Sequence, residues 1–363
     1  MKPLLRTAGR PGLGGRATTT PTVVHLDEKG RLRSPGSSAP VRPDRLAEHL
    51  ARELRVPEEA TDLYVYVHGW QTSPDVAVRS AARLLREARE LATARPDLYA
   101  GLEGGYRPWC VVVCWPSSSL PGLRGYRRIR ERAHAMSAPG TGQAAHVLGH
   151  LLGYLDTHRT DPGDPAVLRN RNGQYMHLLG HSFGGRFLCE AVQWAAESPQ
   201  QPRVLGWSHP VDPRRPFTVD SALVFQMAAP RDSFDTMFPE LFATGVRPAA
   251  PLRGPLALTH SRWDRATGFW HLRAEGAPGI GHSGAGAAPV APYSTRLLTV
   301  DEPYTRGLLD HRIVNIDAGW RFRGGRATRL APAGAHSDFL HPESAHLLAG
   351  LAALSREELS GQS

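Results

Sequence analysis

The stretch Tyr175-Met-His-Leu-Leu-Gly-His-Ser-Phe-Gly-Gly185 decides the fold expected for this chain. Its apolar first half predicts a buried strand, and the amphipathic run that follows, as far as Trp194, predicts a helix. The pattern G-x-S-x-G joins the two. A strand, a sharp turn at a serine and a helix together make a nucleophile elbow, which lifts the hydroxyl out of the sheet. The sequence therefore predicts Ser182 as a nucleophile.

A second serine lies in a similar pattern, Gly281-His-Ser-Gly-Ala285. No apolar run precedes this pattern and no helical periodicity follows it, so the strand and helix that an elbow requires are not predicted there. We therefore expect no catalytic role for Ser283.

The composition predicts a chain with a full hydrophobic core. Of 363 residues, 41% are hydrophobic and 21% are charged. The first residues lack the apolar segment of a signal peptide, and no run is long enough to span a membrane, so we expect a cytoplasmic protein. Cys110, Cys114 and Cys189 lack zinc-ligand spacing and are expected to be buried thiols in a reducing compartment. No metal and no cofactor are expected.

The net charge of +9 comes from arginine, since Lys2 and Lys29 are the only lysines. The arginines are scattered, and their one modest cluster spans residues 124–132. A nucleic-acid partner would require a concentrated basic face and a reading motif, and we expect no such partner. The glycines of residues 12–15 follow no predicted strand, so a phosphate-binding loop is not expected either.

Alternating strands and helices predict an α/β fold with a mostly parallel central sheet that helices cover on both faces. Residues 1–20 are expected to form a flexible tail, and residues 21–363 a single domain. Two segments with little periodicity, near 117–140 and 268–300, are expected to be loop or cap excursions from the core. The predicted strands span 63–67, 109–115, 176–179, 222–226, 255–260 and 312–317, after an opening hairpin at 22–33. The predicted helices include 74–94, 141–156 and one that begins at Pro342.

A base and an acid are predicted because functional groups of parallel sheets gather beyond the carboxyl ends of the strands. Asp264 follows the predicted strand 255–260, and His336 lies on the loop before the final helix. A serine hydroxyl needs a base within hydrogen-bonding reach, and the base needs an acid to orient it. Ser182, Asp264 and His336 occur in the chain order of the α/β hydrolases.

Other residues compete for these roles. Asp232 and Asp235 follow the preceding strand and remain the alternative acid. Asp317 ends the last strand, where a structural carboxylate is the better interpretation. Among the histidines, His341 precedes a proline at a predicted helix start, and His260 lies within a strand and is expected to pack in the core.

Two backbone N–H groups are expected to stabilise the oxyanion that forms in acyl transfer. One belongs to Phe183, the residue after the nucleophile. The other belongs to Trp70, in the loop His68-Gly69-Trp70-Gln71 after the first long strand, where glycine lets the backbone approach a substrate. The side chains of Gln71 and His181 are expected to line the substrate pocket.

These motifs together resemble the α/β-hydrolase superfamily. The resemblance spans about residues 60 to 355 and implies that Ser182 is the nucleophile, Asp264 the acid and His336 the base, with Trp70 and Phe183 as oxyanion donors. The long 268–310 segment and the arginine-rich 120–132 loop depart from the family pattern. The motifs that carry the resemblance are His68-Gly69-Trp70, Gly180-His-Ser-Phe-Gly184, Ser261-Arg-Trp-Asp264 and Ala335-His336. The segments 112–117, 261–266 and 336–339 look like an uncharacterised bacterial branch labelled serine esterases or lipases.

The sequence thus predicts a cofactor-free serine hydrolase that cleaves small carboxylic esters through an acyl-enzyme. Thioesterase, amidase and acyltransferase chemistry use the same residues and stay open, because a fold does not fix a substrate. A catalytically inactive binding or scaffold protein on the same fold is the alternative from another class. The acyl chain and the oligomeric state are not predicted.

Overall fold

A nine-stranded sheet runs through the computed structural model of this chain. The structure describes residues 20–34, 36–37, 39–120, 122–138, 140–159, 174–197, 207, 216–242, 251–325 and 331–356. The expected tail and the glycines of residues 12–15 lie outside these ranges, apart from Thr20.

The strands of this sheet are parallel except where β1 pairs with β2 in the opening hairpin. Their order across the sheet is β2-β1-β4-β3-β5-β6-β7-β9-β8. The predicted α/β fold with a mostly parallel sheet is confirmed, and it is consistent with an α/β-hydrolase fold. The strands are β1 (Thr22–Leu26), β2 (Leu32–Arg33), β3 (Asp62–Val67), β4 (Pro108–Cys114), β5 (Tyr175–His181), β6 (Ser221–Phe225), β7 (Leu256–His260), β8 (Tyr293–Arg296) and β9 (Ile313–Asp317).

The longer helices follow the sequence signals for helix starts. At the N-terminus of the helix Pro74–Ala94, the side chain of Ser73 accepts a hydrogen bond from the N–H of Val76, and proline takes the first helical position. The helices are α1 (Leu46–Glu53), α2 (Pro74–Ala94), α3 (Leu123–Ser137), α4 (Ala144–Arg159), α5 (Phe183–Glu197), α6 (Ser233–Thr236), α7 (His271–Glu275), α8 (Ile280–Ser283), α9 (Arg306–Leu309) and α10 (Pro342–Leu354), with a π-helical turn at Ala266–Trp270 before α7.

Helices cover both faces of the sheet. On β4, Val111 and Val113 face a core shared with α1, α3, α4 and α5, whereas Cys110 and Val112 face a second core shared with α2 and α10. A strand buried on both faces has no polar alternation, which is why the central strands read as continuous apolar runs. The three cysteines are free and buried, as predicted.

The expectation for the segment 268–300 is wrong in part, because β8 joins the sheet as an edge strand parallel to β9. Its residues Tyr293 to Arg296 alternate between half-buried and exposed, so the strand lacks the apolar run that marked the central strands. The segment 117–140 contains the 15-residue helix α3, whose buried face includes Tyr126 and Ile129. Five arginines on α3 dilute the helical periodicity that would have predicted it.

Candidate active site

The predicted nucleophile elbow lies where β5 ends and α5 begins. Ser182 stands between them with a φ angle of +56°, a left-handed conformation that residues other than glycine rarely adopt. Its N–H donates to the carbonyl oxygen of Phe225 on β6 at 3.0 Å, which holds the turn against the neighbouring strand. Gly184 has no space for a side chain, because a Cβ atom there would lie 2.0 Å from the carbonyl oxygen of Val67. The tight turn places Ser182 at the carboxyl edge of the sheet.

Ser182, His336 and Asp264 form one chain of hydrogen bonds at this edge. The hydroxyl of Ser182 lies 2.7 Å from Nε2 of His336. On the other side of the imidazole ring, Nδ1 lies 2.9 Å from Oδ2 of Asp264. All three side chains are buried. In this geometry, the imidazole can accept the serine proton on Nε2 while the carboxylate holds the proton on Nδ1.

Both oxygens of the Asp264 carboxylate accept hydrogen bonds. Oδ1 accepts the N–H of Thr267 at 3.0 Å, and Oδ2 accepts a hydrogen bond from Nε2 of Gln226 at 3.2 Å. Burial opposes its ionisation, but the interaction with His336 and the hydrogen bonds outweigh burial and lower the pKa of Asp264 below its ordinary value. The carboxylate of Asp264 is therefore ionised at neutral pH.

The loop that carries His336 is fixed to its surroundings at three points. Gly334 forms an isolated bridge with Asp264, and the N–H of Ala335 donates to the carbonyl oxygen of Trp263 at 3.0 Å. The carbonyl oxygen of His336 itself accepts a hydrogen bond from Nε2 of His181 at 2.8 Å. The base and the acid are thus connected through the backbone as well as through their side chains.

The competing residues lie elsewhere. Asp232 and Asp235 are exposed at the start of α6. The carboxylate of Asp317 accepts the N–H of Gly319 at 2.7 Å. His341 is the N-cap residue of α10 and pairs with Asp338 at 3.1 Å. Among these candidates, Asp264 contacts His336, and His336 in turn contacts Ser182.

The loop after β3 brings its backbone close to the serine. At Gly69, a Cβ atom would lie 2.7 Å from Cβ of Ser182. His68 fixes this loop, since its Nδ1 lies 3.0 Å from the carbonyl oxygen of Gly69 and its Nε2 accepts the N–H of Trp115 at 3.2 Å. Burial lowers the pKa of His68 to about 4, so the imidazole stays neutral. Trp70 follows this glycine, which places its N–H in the stretch that approaches Ser182.

The second expected donor, Phe183, is the first residue of α5. The first N–H groups of a helix have no partner within the helix and can bind an anion. Within the described part of the chain, neither this N–H nor that of Trp70 donates a backbone hydrogen bond. Both groups are therefore available to an oxygen bound beside Ser182.

The two residues expected to line a pocket lie in different surroundings. Gln71 is exposed at the outer rim, where its Nε2 donates to the carbonyl oxygen of Ser119 at 3.3 Å. His181 is buried, and its ring packs on those of His336 and Phe339 with centroid distances of 4.9 and 4.7 Å. The pocket role expected for His181 stays a prediction, and the structure places its ring in contact with that of His336.

Ser119 and α3 pack against Trp70 and Phe183, the two expected oxyanion donors. Nε1 of Trp70 donates to Oγ of Ser119 at 2.7 Å, and Tyr126 of α3 packs against the ring of Phe183. Arg130, also on α3, pairs with Glu275 at the end of α7 at 2.9 Å. Ser182 itself is 0% exposed. The excursion expected near 117–140 therefore packs against residues next to the candidate nucleophile.

The same three residue types meet a second time at the opposite edge of the sheet. Nδ1 of His177 lies 2.8 Å from Oγ of Ser221, and its Nε2 lies 3.0 Å from Oδ1 of Asp62. Ser221 is the first residue of β6, so it has no elbow and no helix N-terminus beside it. Asp62 is paired with Arg356, which neutralises it. This second group binds the ends of strands together, and it lacks the backbone donors that acyl transfer requires.

The sequence analysis did not identify the roles of Gln226 and Tyr126. Gln226 has a φ angle of +47° just after β6, a conformation that a propensity argument does not predict for glutamine. Tyr126 lies on a helix that was expected only as a loop or cap element. The available signal for Gln226 was its position at the carboxyl end of a predicted strand. That strand precedes the one that leads to Asp264.

Neither a metal cluster nor a membrane-spanning helix occurs in the part of the chain that the structure describes. No group of three or more histidine, cysteine, aspartate or glutamate side chains in these ranges is arranged to hold a metal ion. None of the described helices combines the length and the apolar character needed to cross a bilayer.

No protein-family model matches the chain, and no curated protein sequence matches it. Among solved structures, the chain is similar to phospholipase PlaB from Legionella pneumophila, with 10% sequence identity and a TM-score of 0.21. The match covers 55% of this chain and 40% of that chain, so it spans less than half of the phospholipase. A likeness of this size supports no statement about the activity of the present chain.

Proposed function

We propose that this chain is a serine hydrolase of the α/β-hydrolase superfamily, that it cleaves small carboxylic esters through an acyl-enzyme, and that residues 21–363 form one domain. The observation that best supports this proposal is the hydrogen-bonded chain from Ser182 through His336 to Asp264. The left-handed conformation of the serine, between a strand and a helix, is the second support.

In the proposed reaction, Oγ of Ser182 attacks the ester carbonyl carbon while Nε2 of His336 takes the hydroxyl proton. Asp264 holds Nδ1–H and stabilises the imidazolium. The carbonyl oxygen becomes an oxyanion, to which the N–H groups of Trp70 and Phe183 donate. The bond to the leaving alcohol then breaks, and the imidazolium gives its proton to the alkoxide. Water, deprotonated by the imidazole, hydrolyses the acyl-serine and restores the hydroxyl.

The burial of Ser182 restricts how a substrate reaches it. Because Ser182 is fully buried, an ester reaches it only when residues around it move. Closure over the bound ester would exclude bulk water and strengthen the hydrogen bonds to the oxyanion.

The proposal is tested with p-nitrophenyl esters of increasing acyl length. Wild-type protein is expected to hydrolyse at least one of them, and Ser182→Ala is expected to lose activity by about 10⁴-fold or more. Ser283→Ala is the matched control, because it removes the serine of the similar glycine-rich pattern and should leave activity unchanged. Folded wild-type protein that hydrolyses no ester, thioester or amide would instead support a binding or scaffold protein.

A further inference from the structure

Tyr126 of α3 has a buried hydroxyl group that no residue of the described ranges satisfies. The side chain is 0% exposed, and its hydroxyl has no hydrogen-bond partner there. Buried hydroxyl groups of folded proteins are nearly always paired, because an unpaired one has lost its water without replacement. This hydroxyl therefore requires a specific explanation.

Other buried tyrosines of the chain show the usual arrangement. The hydroxyls of Tyr64 and Tyr106 are paired with each other at 2.6 Å, on the far face of the sheet. That of Tyr99 is paired with Nδ1 of His346 at 2.5 Å. The difference at Tyr126 is its location, next to the candidate site.

The ring of Tyr126 contacts both residues whose N–H groups are the expected oxyanion donors. Its centroid lies 5.6 Å from that of Trp70 in an edge-on arrangement, and 5.4 Å from that of Phe183. On another side of the ring, the centroid of His271 of α7 lies 6.3 Å from that of Tyr126. The phenol is thus held between α7 and the stretch of backbone that approaches Ser182.

The surroundings keep this hydroxyl protonated. Burial raises the pKa of Tyr126 well above its usual range, and the negative charge of Asp264 raises it further. A protonated phenol can donate a hydrogen bond, and a donor is what a developing negative charge requires.

We propose that the Tyr126 hydroxyl is a third donor to the reacting ester, binding the carbonyl oxygen as it becomes an oxyanion beside the N–H groups of Trp70 and Phe183. This inference rests on the proposed hydrolase function. No bond to Tyr126 forms or breaks, and its proton stays on the phenol. The hydrogen bond strengthens as negative charge develops on the ester oxygen, so Tyr126 stabilises the transition state more than the bound substrate.

The test is Tyr126→Phe, which removes the hydroxyl and keeps the ring between Trp70 and Phe183. With p-nitrophenyl butyrate, kcat should fall by about 10- to 100-fold, the range for loss of a hydrogen bond to a charged group, while KM changes by less than about threefold. Labelling by a fluorophosphonate should slow by a similar factor. The Tm should stay the same or rise, because the hydroxyl that is removed has no hydrogen-bond partner among the described residues.

Tyr106→Phe is the matched control. It removes a buried hydroxyl that is paired with Tyr64, so we expect a lower Tm with unchanged kcat. An unchanged kcat and labelling rate in Tyr126→Phe, or a rise in KM alone, would overturn the role of Tyr126. Wild-type protein that is active and labelled at Ser182 would still support the hydrolase in that case. Wild-type protein that is neither active nor labelled would overturn both proposals.

Discussion

His181 donates a hydrogen bond from Nε2 to the main-chain oxygen of His336 at 2.8 Å, and the two imidazole rings pack 4.9 Å apart. His181, the residue before Ser182, thereby holds the backbone of His336. Burial, with a contribution from His336, lowers the pKa of His181 to about 3, so its ring stays neutral and keeps the Nε2 proton that it donates. The elbow and the histidine loop are therefore coupled directly.

We predict that His181→Phe lowers kcat by about tenfold and leaves KM nearly unchanged. The phenyl ring preserves the packing on Phe339, but the carbonyl oxygen of His336 loses its donor, at a cost of about 1 kcal/mol or more. His311→Phe, which replaces a ring stacked on Tyr293 at the edge strand, is the control. Equal kcat values for both variants and the wild type would show that this contact does not position the base.

We predict that Asp264→Asn lowers kcat by about 10⁴-fold while circular dichroism and Tm show a folded protein, because asparagine favours the wrong imidazole tautomer. Asp235→Asn, an exposed residue on α6, should behave as wild type. Near-normal turnover in Asp264→Asn together with a loss in Asp232→Asn or Asp235→Asn would move the acid to the end of β6.

We predict that Gln226→Glu lowers activity at pH 7 by about tenfold or more. The new carboxylate would lie where Nε2 of Gln226 now donates to Asp264, and two carboxylates in contact cannot both ionise easily. Removing the donor and adding a like charge raises the pKa of the pair, so the acid limb of the kcat/KM profile should move to higher pH. An unshifted acid limb would indicate that Gln226 does not act on Asp264.

We expect the stability of the chain at acid pH to depend on the buried ion pair between Asp62 and Arg356. Burial opposes the ionisation of Asp62, but Arg356 and His177 outweigh it, and the pKa falls from 3.8 to about 2. The stabilisation that follows is present above about pH 4 and is lost as the pH falls through 2. Removing Arg356 leaves Asp62 buried with less compensating charge, which raises its folded-state pKa.

We therefore expect Arg356→Gln to lower the free energy of unfolding at pH 7 by about 3 kcal/mol and to begin acid unfolding at higher pH than the wild type. Arg306→Gln breaks the exposed pair with Asp310 and should cost less than about 0.5 kcal/mol. Chemical denaturation at several pH values measures both variants. Identical acid transitions in Arg356→Gln and the wild type would contradict the account of Asp62.

The central strands and the elbow could be predicted from the sequence because both depend on local chemistry. Buried parallel strands such as β3 and β4 contain continuous apolar runs, at 63–67 and 109–114, and the elbow requires glycine where backbones approach. Asp264 and His336 could be proposed because both follow parallel strands, whose carboxyl ends share one edge. Their hydrogen-bonding distances come from the structure, and their catalytic roles stay predictions.

The elements that the sequence did not predict depend on contacts between distant segments. The edge strand β8 is half exposed, and α3 carries arginines of which Arg127 and Arg130 contact α7. Gln226 and Tyr126 contact residues more than 35 positions away along the chain. His181 was expected to line a pocket, and the structure places its ring against those of His336 and Phe339. No local sequence pattern indicates these contacts between distant residues.

The measurement that tests the central claim most directly is peptide mapping by mass spectrometry after reaction with a fluorophosphonate. We expect a single adduct on the peptide that contains Ser182, no adduct in Ser182→Ala, and normal labelling in Ser283→Ala. An adduct on Ser221 or Ser283, or no adduct on folded wild-type protein, would contradict the assignment of Ser182 as an activated nucleophile.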